Sequence, residues 1–414
     1  RYTNRSGQRH ISMSETTLAS KPSANLAIRL GLRLISNIGE ISNHARKHAM
    51  TVVKCLTQAM GTHEVKCPCG EVMAEANSCR QRFCPLCSRP RLTRFLDAWR
   101  RRFLLVDHYH MVFTLPHTVN ILWKLNRAKM GDILFLAVSI TIKTLAADSQ
   151  WLGAQPGFVS FLQTWSNILK FHPHLHVILT AGGVDAAGNW ILMKRGKKFI
   201  IPHKVVSAMF KETFTRLLEE AMEKADFNKP SGWQRRDTQE LLESLAEKAF
   251  VVWITGPYAS PLGVLKYCAQ YVCSGPVPNS KMVAVNKESV TYLMQPRPNL
   301  ADCKMNLSLK AFLGRYLEHI PPPGFHIVRG YGLYSASWKL KVTNLPERPV
   351  TTEARPAMPF LVQEDLPIDE PYRCPACRAV FATPETMRMH RRGGYRRAAG
   401  LQSAARASPV QDAA

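Results

Sequence analysis

Three histidines fall at positions 172, 174 and 176 within Phe171-His-Pro-His-Leu-His-Val-Ile-Leu-Thr180. Val177, Ile178 and Leu179 follow, and Gly182-Gly183 bounds the run, the pattern of a strand. Alternate side chains of a strand share a face, so His174 and His176 project together and Leu175 points the other way. Two imidazoles held side by side on a rigid strand make half of a metal site. Further along the chain, Tyr267-Cys-Ala-Gln-Tyr271 reads as helix and puts two phenols one turn apart on one face. A phenol ionises near about 10, so at neutral pH it attacks only where charge is drawn off its target. A metal ion beside it can do that.

The cysteines form a second constellation. Cys84-Pro-Leu-Cys87 has zinc-knuckle spacing, and Cys67-Pro-Cys69 reads as its partner pair, with Cys79 as an alternate ligand and Cys55 as a core thiol. Near the end, Cys374-Pro-Ala-Cys377 is followed by His390, three ligands of a Cys2His2 finger whose fourth position reads Gly394-Tyr-Arg396. Arginines 80, 82, 89, 91, 94, 100, 101 and 102 stand against one acid, Asp97, with Phe95 and Trp99 at helical spacing among them. From these, Arg80, Arg82, Arg91, Arg94, Arg100, Arg101 and Arg102 are the candidate DNA contacts.

The whole chain agrees with that bias. Fifty-five Lys+Arg against 30 Asp+Glu leave a formal charge of +25 over 414 residues, which favours a polyanionic partner, nucleic acid before membrane. Eleven cysteines in close pairs suit metal binding in a reducing, cytoplasmic compartment better than disulfides. No apolar run reaches the roughly 20 residues that span a bilayer; Ile133–Ile142 is the longest.

The elements that must position these residues read as follows. Residues 1–24 are a polar, unstructured leader, and a helical pattern covers about 25–57. His110–Leu115 is a buried strand, 118–147 one or two apolar helices, and Gly157–Lys170 a shorter helix. The histidine strand turns at Asp185–Asn189 into Trp190–Met193, and Lys194–Lys198 adds a basic knot. Helices over Val205–Lys224 and Gln239–Lys248 precede a strand at Phe250–Thr255 and the tyrosine helix at Pro261–Val272. A hairpin spans Met282–Met294, a helix Asn306–Ile320, and a closing strand Phe325–Tyr334. Residues 343–371 are a Pro/Glu/Thr-rich linker.

Taken in order, these landmarks resemble the HUH-superfamily transposases with two catalytic tyrosines, of the IS-ninety-one type. The resemblance covers roughly residues 50–340 and rests on Cys55-Leu-Thr57, Gly61, Cys67, Asn77-Ser-Cys-Arg80, Arg82, Cys84-Pro-Leu-Cys87, His110–Pro116, Leu162-Gln-Thr-Trp165, His172-Pro-His-Leu-His176, Tyr267-x-x-x-Tyr271 and Gly330-Tyr-Gly-Leu-Tyr334. It departs from the family at Phe83, where histidine is usual, and at Gln270 and Cys273-Ser274, where basic residues are usual.

The resemblance implies an α+β fold: a central antiparallel sheet flanked by helices (HUH endonuclease, ferredoxin/RRM-like), with an N-terminal zinc-binding module. The expected domains are a leader and helix over 1–49, a zinc module over 50–105, a catalytic domain over 106–340, a linker over 341–371, and an incomplete finger with a tail over 372–414. It also implies that Tyr267 and Tyr271 are nucleophiles, that His174 and His176 bind Mg2+ or Mn2+, and that structural Zn2+ sits on Cys67, Cys69, Cys84 and Cys87. The partner would be single-stranded DNA, cut and rejoined in rolling-circle transposition. A plasmid replication initiator or relaxase, and a decayed zinc DNA-binding protein, are the alternatives.

Overall fold

A computed structural model describes residues 22–38, 41–67, 69–193, 201–294, 303–338 and 376–378. Leader residues 1–21, the 194–198 basic knot, the linker, Cys374 and His390 lie outside the described residues, while Ala24, expected in the leader, opens the first helix. In chain order the elements are α1 (Ala24–Gly31), α2 (Asn43–Val52), β1 (Thr62–Lys66), β2 (Val72–Ala76), α3 (Arg89–Arg100), β3 (His108–Thr114), α4 (Asn120–Leu125), α5 (Arg127–Ala147), β4 (Gln155–Trp165), β5 (Phe171–Val184) and β6 (Trp190–Leu192). They continue as α6 (His203–Met222), α7 (Arg235–Glu247), β7 (Val251–Tyr258), α8 (Leu262–Ser274), β8 (Met282–Val285), β9 (Ser289–Leu293), β10 (Lys304–Ser308), α9 (Leu309–Glu318) and β11 (Val328–Gly332).

Among the described residues, 22–95 join 273–320 and 376–378 in one compact unit, and 96–272 join 321–338 in another. The division is thus discontinuous: residues 273–320, which lie within the 106–340 stretch expected as one catalytic domain, group with 22–95.

The second unit is built on an antiparallel sheet in the order β11-β4-β5-β3-β7, with β6 on the end of β5. Its register aligns Thr114, His174 and Gln163 across three strands, and likewise Val112, His176 and Phe161. Cross-strand partners share a face, so His110, His174, His176 and Gln163 all stand on one side of the sheet. The opposite side, with Phe113, Leu175 and Leu162, is core: Phe113 meets Phe210 of α6 at 5.1 Å, and α6 packs on α5.

Burial on both faces explains one misreading. Gly157–Lys170 was expected as helix, but β4 is strand, because Phe158, Val159, Ser160, Phe161 and Leu162 are all buried and no alternation marks the period. The apolar estimate changes too. Helix α5 is long and apolar enough to cross a membrane by length and composition, yet 67% of that stretch is buried inside the protein, as in a core helix. The helical pattern near the start is broken into α1, a short 3-10 turn at Leu32–Asn37 and α2, with Ser23 and Ser42 each capping a helix through a side-chain oxygen.

The closing strand β11 is fastened by Tyr334. Its hydroxyl accepts from the Leu104 amide at 3.2 Å and lies 2.7 Å from His108 Nε2, whose Nδ1 donates to the Val106 carbonyl at 2.8 Å. Gly332, at φ +54°, allows the approach to β4, since a Cβ there would fall on the Pro156 carbonyl.

Candidate active site and metal centres

Helix α8 runs over the histidine face of the sheet. The Tyr267 ring lies 5.5 Å from that of His176 and 6.4 Å from that of His110. Tyr271 stacks over His176 at 6.4 Å and meets Trp165 edge-on at 5.8 Å. The two phenol rings are 4.8 Å apart, as four-residue helical spacing requires. Both tyrosines are half-buried, whereas His174 and His176 are buried.

His174 is held in a defined tautomer. A carbonyl only accepts, so His174 Nδ1 donates to the His172 carbonyl at 2.7 Å and leaves Nε2 as a bare lone pair. That Nε2 lies 3.2 Å from His176 Nε2, which is itself 3.1 Å from Gln163 Oε1. Gln163 is oriented in turn, its amide NH2 donating to the Trp165 carbonyl at 3.1 Å. Ligands about 2.1 Å from an octahedral cation lie about 3.0 Å apart at right angles, so this trio is spaced to hold a divalent ion. On its other side His176 Nδ1 faces His110 Nε2 at 3.0 Å.

His110, His176 and Cys268 also cluster, their ligand atoms all within 4.8 Å of one another. Burial pushes the Cys268 thiol up, which disfavours its thiolate form. Sequence reasoning missed Gln163, His110 and Cys268. Gln163 is brought opposite His174 by the pairing of β4 with β5, which local sequence pattern does not carry.

Burial also lowers the pKa of His110 and of His174 to about 4. Both rings therefore stay neutral with their lone pairs available. The unfolded chain takes up these protons near 6.5 and the folded one only near 4, so folding stability without added ion should fall as pH drops through that window. Thermal melting as a function of pH checks this, and His110→Gln should weaken the dependence.

The cysteines regroup. Cys84 and Cys87 come together as expected, but their companions are Cys55 and Cys79, with all four sulfurs within 4.8 Å. Cys67 and Cys69 are carried off on the β1–β2 hairpin, so Cys55 is no mere core thiol. The Leu56 amide donates to the Asn77 carbonyl at 3.2 Å, which brings Cys55 beside Cys79, and the Cys79 amide donates to Cys55 Sγ at 3.3 Å. Cys79 and Cys87 sulfurs are 3.8 Å apart, matching thiolates about 2.3 Å from a tetrahedral zinc, which lie about 3.8 Å from each other. Hydrogen bonds from Cys55, Cys79 and Cys84, together with the Arg91 charge, hold the Cys87 thiol below its usual range. A guanidinium here also offsets the negative charge of four thiolates around one Zn2+.

The arginines divide by environment. Arg80, Arg100 and Arg101 are exposed, while Arg82, Arg91 and Arg94 are half-buried, and burial lowers the Arg82 pKa. Arg102 is engaged within the protein: it donates to the Tyr334 carbonyl at 3.1 Å and stacks over Trp99 at 4.5 Å. Expected as a DNA contact, it is exposed like Arg100 and Arg101 and in addition tied to the closing strand. Accordingly, replacing Arg100 and Arg101 by alanine should flatten the salt dependence of single-strand binding by about 0.7 in log–log slope per lost contact. Arg102→Ala should instead lower the melting temperature. Salt-titrated binding and thermal melting separate the two effects.

The antiparallel sheet thus carries histidines on one face with a tyrosine helix over them, and a cysteine cluster lies in the N-terminal part of the chain. The comparisons identify the family. A family model described as "Putative transposase" matches residues 157–341, and one described as "Transposase zinc-binding domain", of the IS-ninety-one type, matches 30–115. "Putative transposase y4qJ" of Sinorhizobium fredii is 33% identical over 296 residues, covering 70% of this chain and 74% of its own. The "Transposase for insertion sequence element IS801" of Pseudomonas savastanoi pv. phaseolicola is 22% identical over 293 residues, covering 68% of each. The conjugative relaxase TrwC, solved metal-bound with oriT DNA, overlaps 40% of this chain and 72% of its own at 12% identity and a TM-score of 0.24, a superposition too loose to transfer residues. The chain belongs to the IS-ninety-one-type transposase family, and its zinc-binding domain is N-terminal.

Proposed function

We propose that this transposase cleaves and rejoins single-stranded DNA through Tyr267 and Tyr271 in rolling-circle transposition. The observation that carries the reading is the meeting of two faces: both phenol rings lie within 6.4 Å of the His176 ring. A phenol oxygen attacks the scissile phosphorus, the bond to the 3′ oxygen breaks, and that oxygen leaves as a 3′ hydroxyl. The 5′-phosphotyrosine keeps a phosphodiester bond, so a later 3′ hydroxyl can displace the phenol without ATP. With two tyrosines on one face, one holds the first cleaved end while the other makes the second cut.

His174, His176 and Gln163 would hold the divalent ion, Mg2+ or Mn2+, which supplies Lewis-acid polarisation of the phosphate when bound. His172 and His110 orient the two imidazoles through their outer nitrogens. Cys55, Cys79, Cys84 and Cys87 would hold the structural zinc. Trp253, 43% exposed on β7 opposite Val112, shares the histidine face and offers a base-stacking surface beside the site.

The test is covalent capture. The full chain is incubated with a radiolabelled single-stranded oligonucleotide bearing an element end and Mn2+, then resolved under denaturing conditions. A protein–DNA adduct that maps to a peptide containing Tyr267 or Tyr271 supports the reading. Binding without any adduct leaves a zinc protein that grips DNA and does not cut it.

A further inference from the structure

A second group of sulfurs stands apart from the four-cysteine cluster. Cys67, Cys69 and Cys377 have their sulfurs within 4.8 Å of one another, and Cys67 Sγ lies 3.5 Å from Cys377 Sγ across 310 residues of chain. Cys67 and Cys69 sit in the turn that closes the β1–β2 hairpin, where the Cys67 amide donates to the Glu71 carbonyl at 2.7 Å and the Gly70 amide to the Cys67 carbonyl at 2.9 Å.

The backbone at these cysteines repeats that of the first cluster. Gly70, directly after Cys69, has φ +94°, and Arg378, directly after Cys377, has φ +62°. Leu56 after Cys55 and Arg80 after Cys79 take the same left-handed turn, at φ +56° and +53°. Three of the five non-glycine residues with positive φ among those described therefore follow a clustered cysteine. Each left-handed residue is sterically costly, so the recurrence points to a shared demand, the knuckle turn that presents a sulfur to a metal. In the first cluster the same turn aims the Gln81 amide at Cys79 Sγ, at 3.5 Å.

We infer that Cys67, Cys69 and Cys377 bind a second zinc ion, which fastens Cys377 to the N-terminal hairpin. Three soft thiolates select zinc over the hard cations that suit His174, His176 and Gln163. Tetrahedral thiolates lie about 3.8 Å apart, close to the observed Cys67–Cys377 spacing. Residues on the same short hairpin cannot close the site alone, because Cys67 and Cys69 offer two sulfurs and the third comes from the far end of the chain. The N-terminal pair and Cys377, which the sequence presents as parts of two separate zinc modules, share one site.

The experiment is zinc counting on the full chain purified under reducing conditions. Cys69 and Cys377 are exposed, so serine there leaves the core intact. The unaltered chain should hold about two zinc ions, and Cys69→Ser, Cys377→Ser and the double variant should each hold about one, because ligands sharing an ion are lost together. Cobalt substitution gives a second readout: thiolate-to-cobalt absorption should drop equally in all three variants. Two zinc ions retained in Cys377→Ser overturn the inference. So does a single ion in the unaltered chain, whether the three thiols are then titrated as free or two of them as a disulfide. None of these outcomes touches the tyrosine chemistry, which the covalent adduct reports separately.

Discussion

Replacing both Tyr267 and Tyr271 with phenylalanine should abolish covalent attachment to single-stranded DNA, a loss of about 10⁴-fold or more in cleavage rate, as for removal of an enzyme nucleophile. Phenylalanine keeps the rings. The 4.8 Å pair and the contacts of both rings with His176 survive, so folding and DNA affinity should change little. The single variants carry more information. If each tyrosine takes one of two cuts, either single variant should still form an adduct while failing to complete strand transfer. Denaturing gels report the first and a two-ended transfer assay the second. An undiminished adduct in the double variant would move the nucleophile elsewhere and remove the role assigned to α8.

How much of this was legible beforehand follows from the range of each signal. Tyr267 and Tyr271 are four apart on one helix, and His174 and His176 two apart on one strand, so local periodicity alone pairs them. That the two faces meet is a property of the sheet order, which no local pattern carries. Gln163 illustrates the limit. It stands opposite His174 only because β4 pairs with β5, and β4 was hidden as a strand by being buried on both sides. The cysteines fail in a similar way. Spacing rules join neighbours in sequence, and so paired Cys67 and Cys69 with Cys84 and Cys87. The hairpin between β1 and β2 carries the first pair away, and a loop held by Leu56 and Asn77 substitutes Cys55 and Cys79. The arginine stretch was visible as composition, but nothing in its spacing shows that Arg102, exposed like Arg100 and Arg101, is also anchored on the Tyr334 carbonyl.

Removing the imidazole of His174 should stop cleavage while the nucleophiles remain. His174→Ala deletes the imidazole whose Nε2 lies 3.2 Å from His176 Nε2, and neither neighbour can replace it, since Gln163 is tied to Trp165 and His176 to His110. Cleavage should fall by about 10³-fold or more even at high Mg2+ or Mn2+, because the Lewis acid is then held by too few ligands to sit against the phosphate. His110→Ala should behave differently. It leaves all three ligands in place and removes only the partner of His176 Nδ1, so metal affinity should weaken by about 10- to 100-fold, and raising the metal concentration should restore most of the rate. The contrast between a loss that metal cannot rescue and one that it can separates a ligand from a residue that orients a ligand. Mn2+ titrations of cleavage, run beside a binding assay in chelator, measure both. Wild-type metal dependence in His174→Ala would place the cation elsewhere, with the His110, His176 and Cys268 cluster as the next site to test.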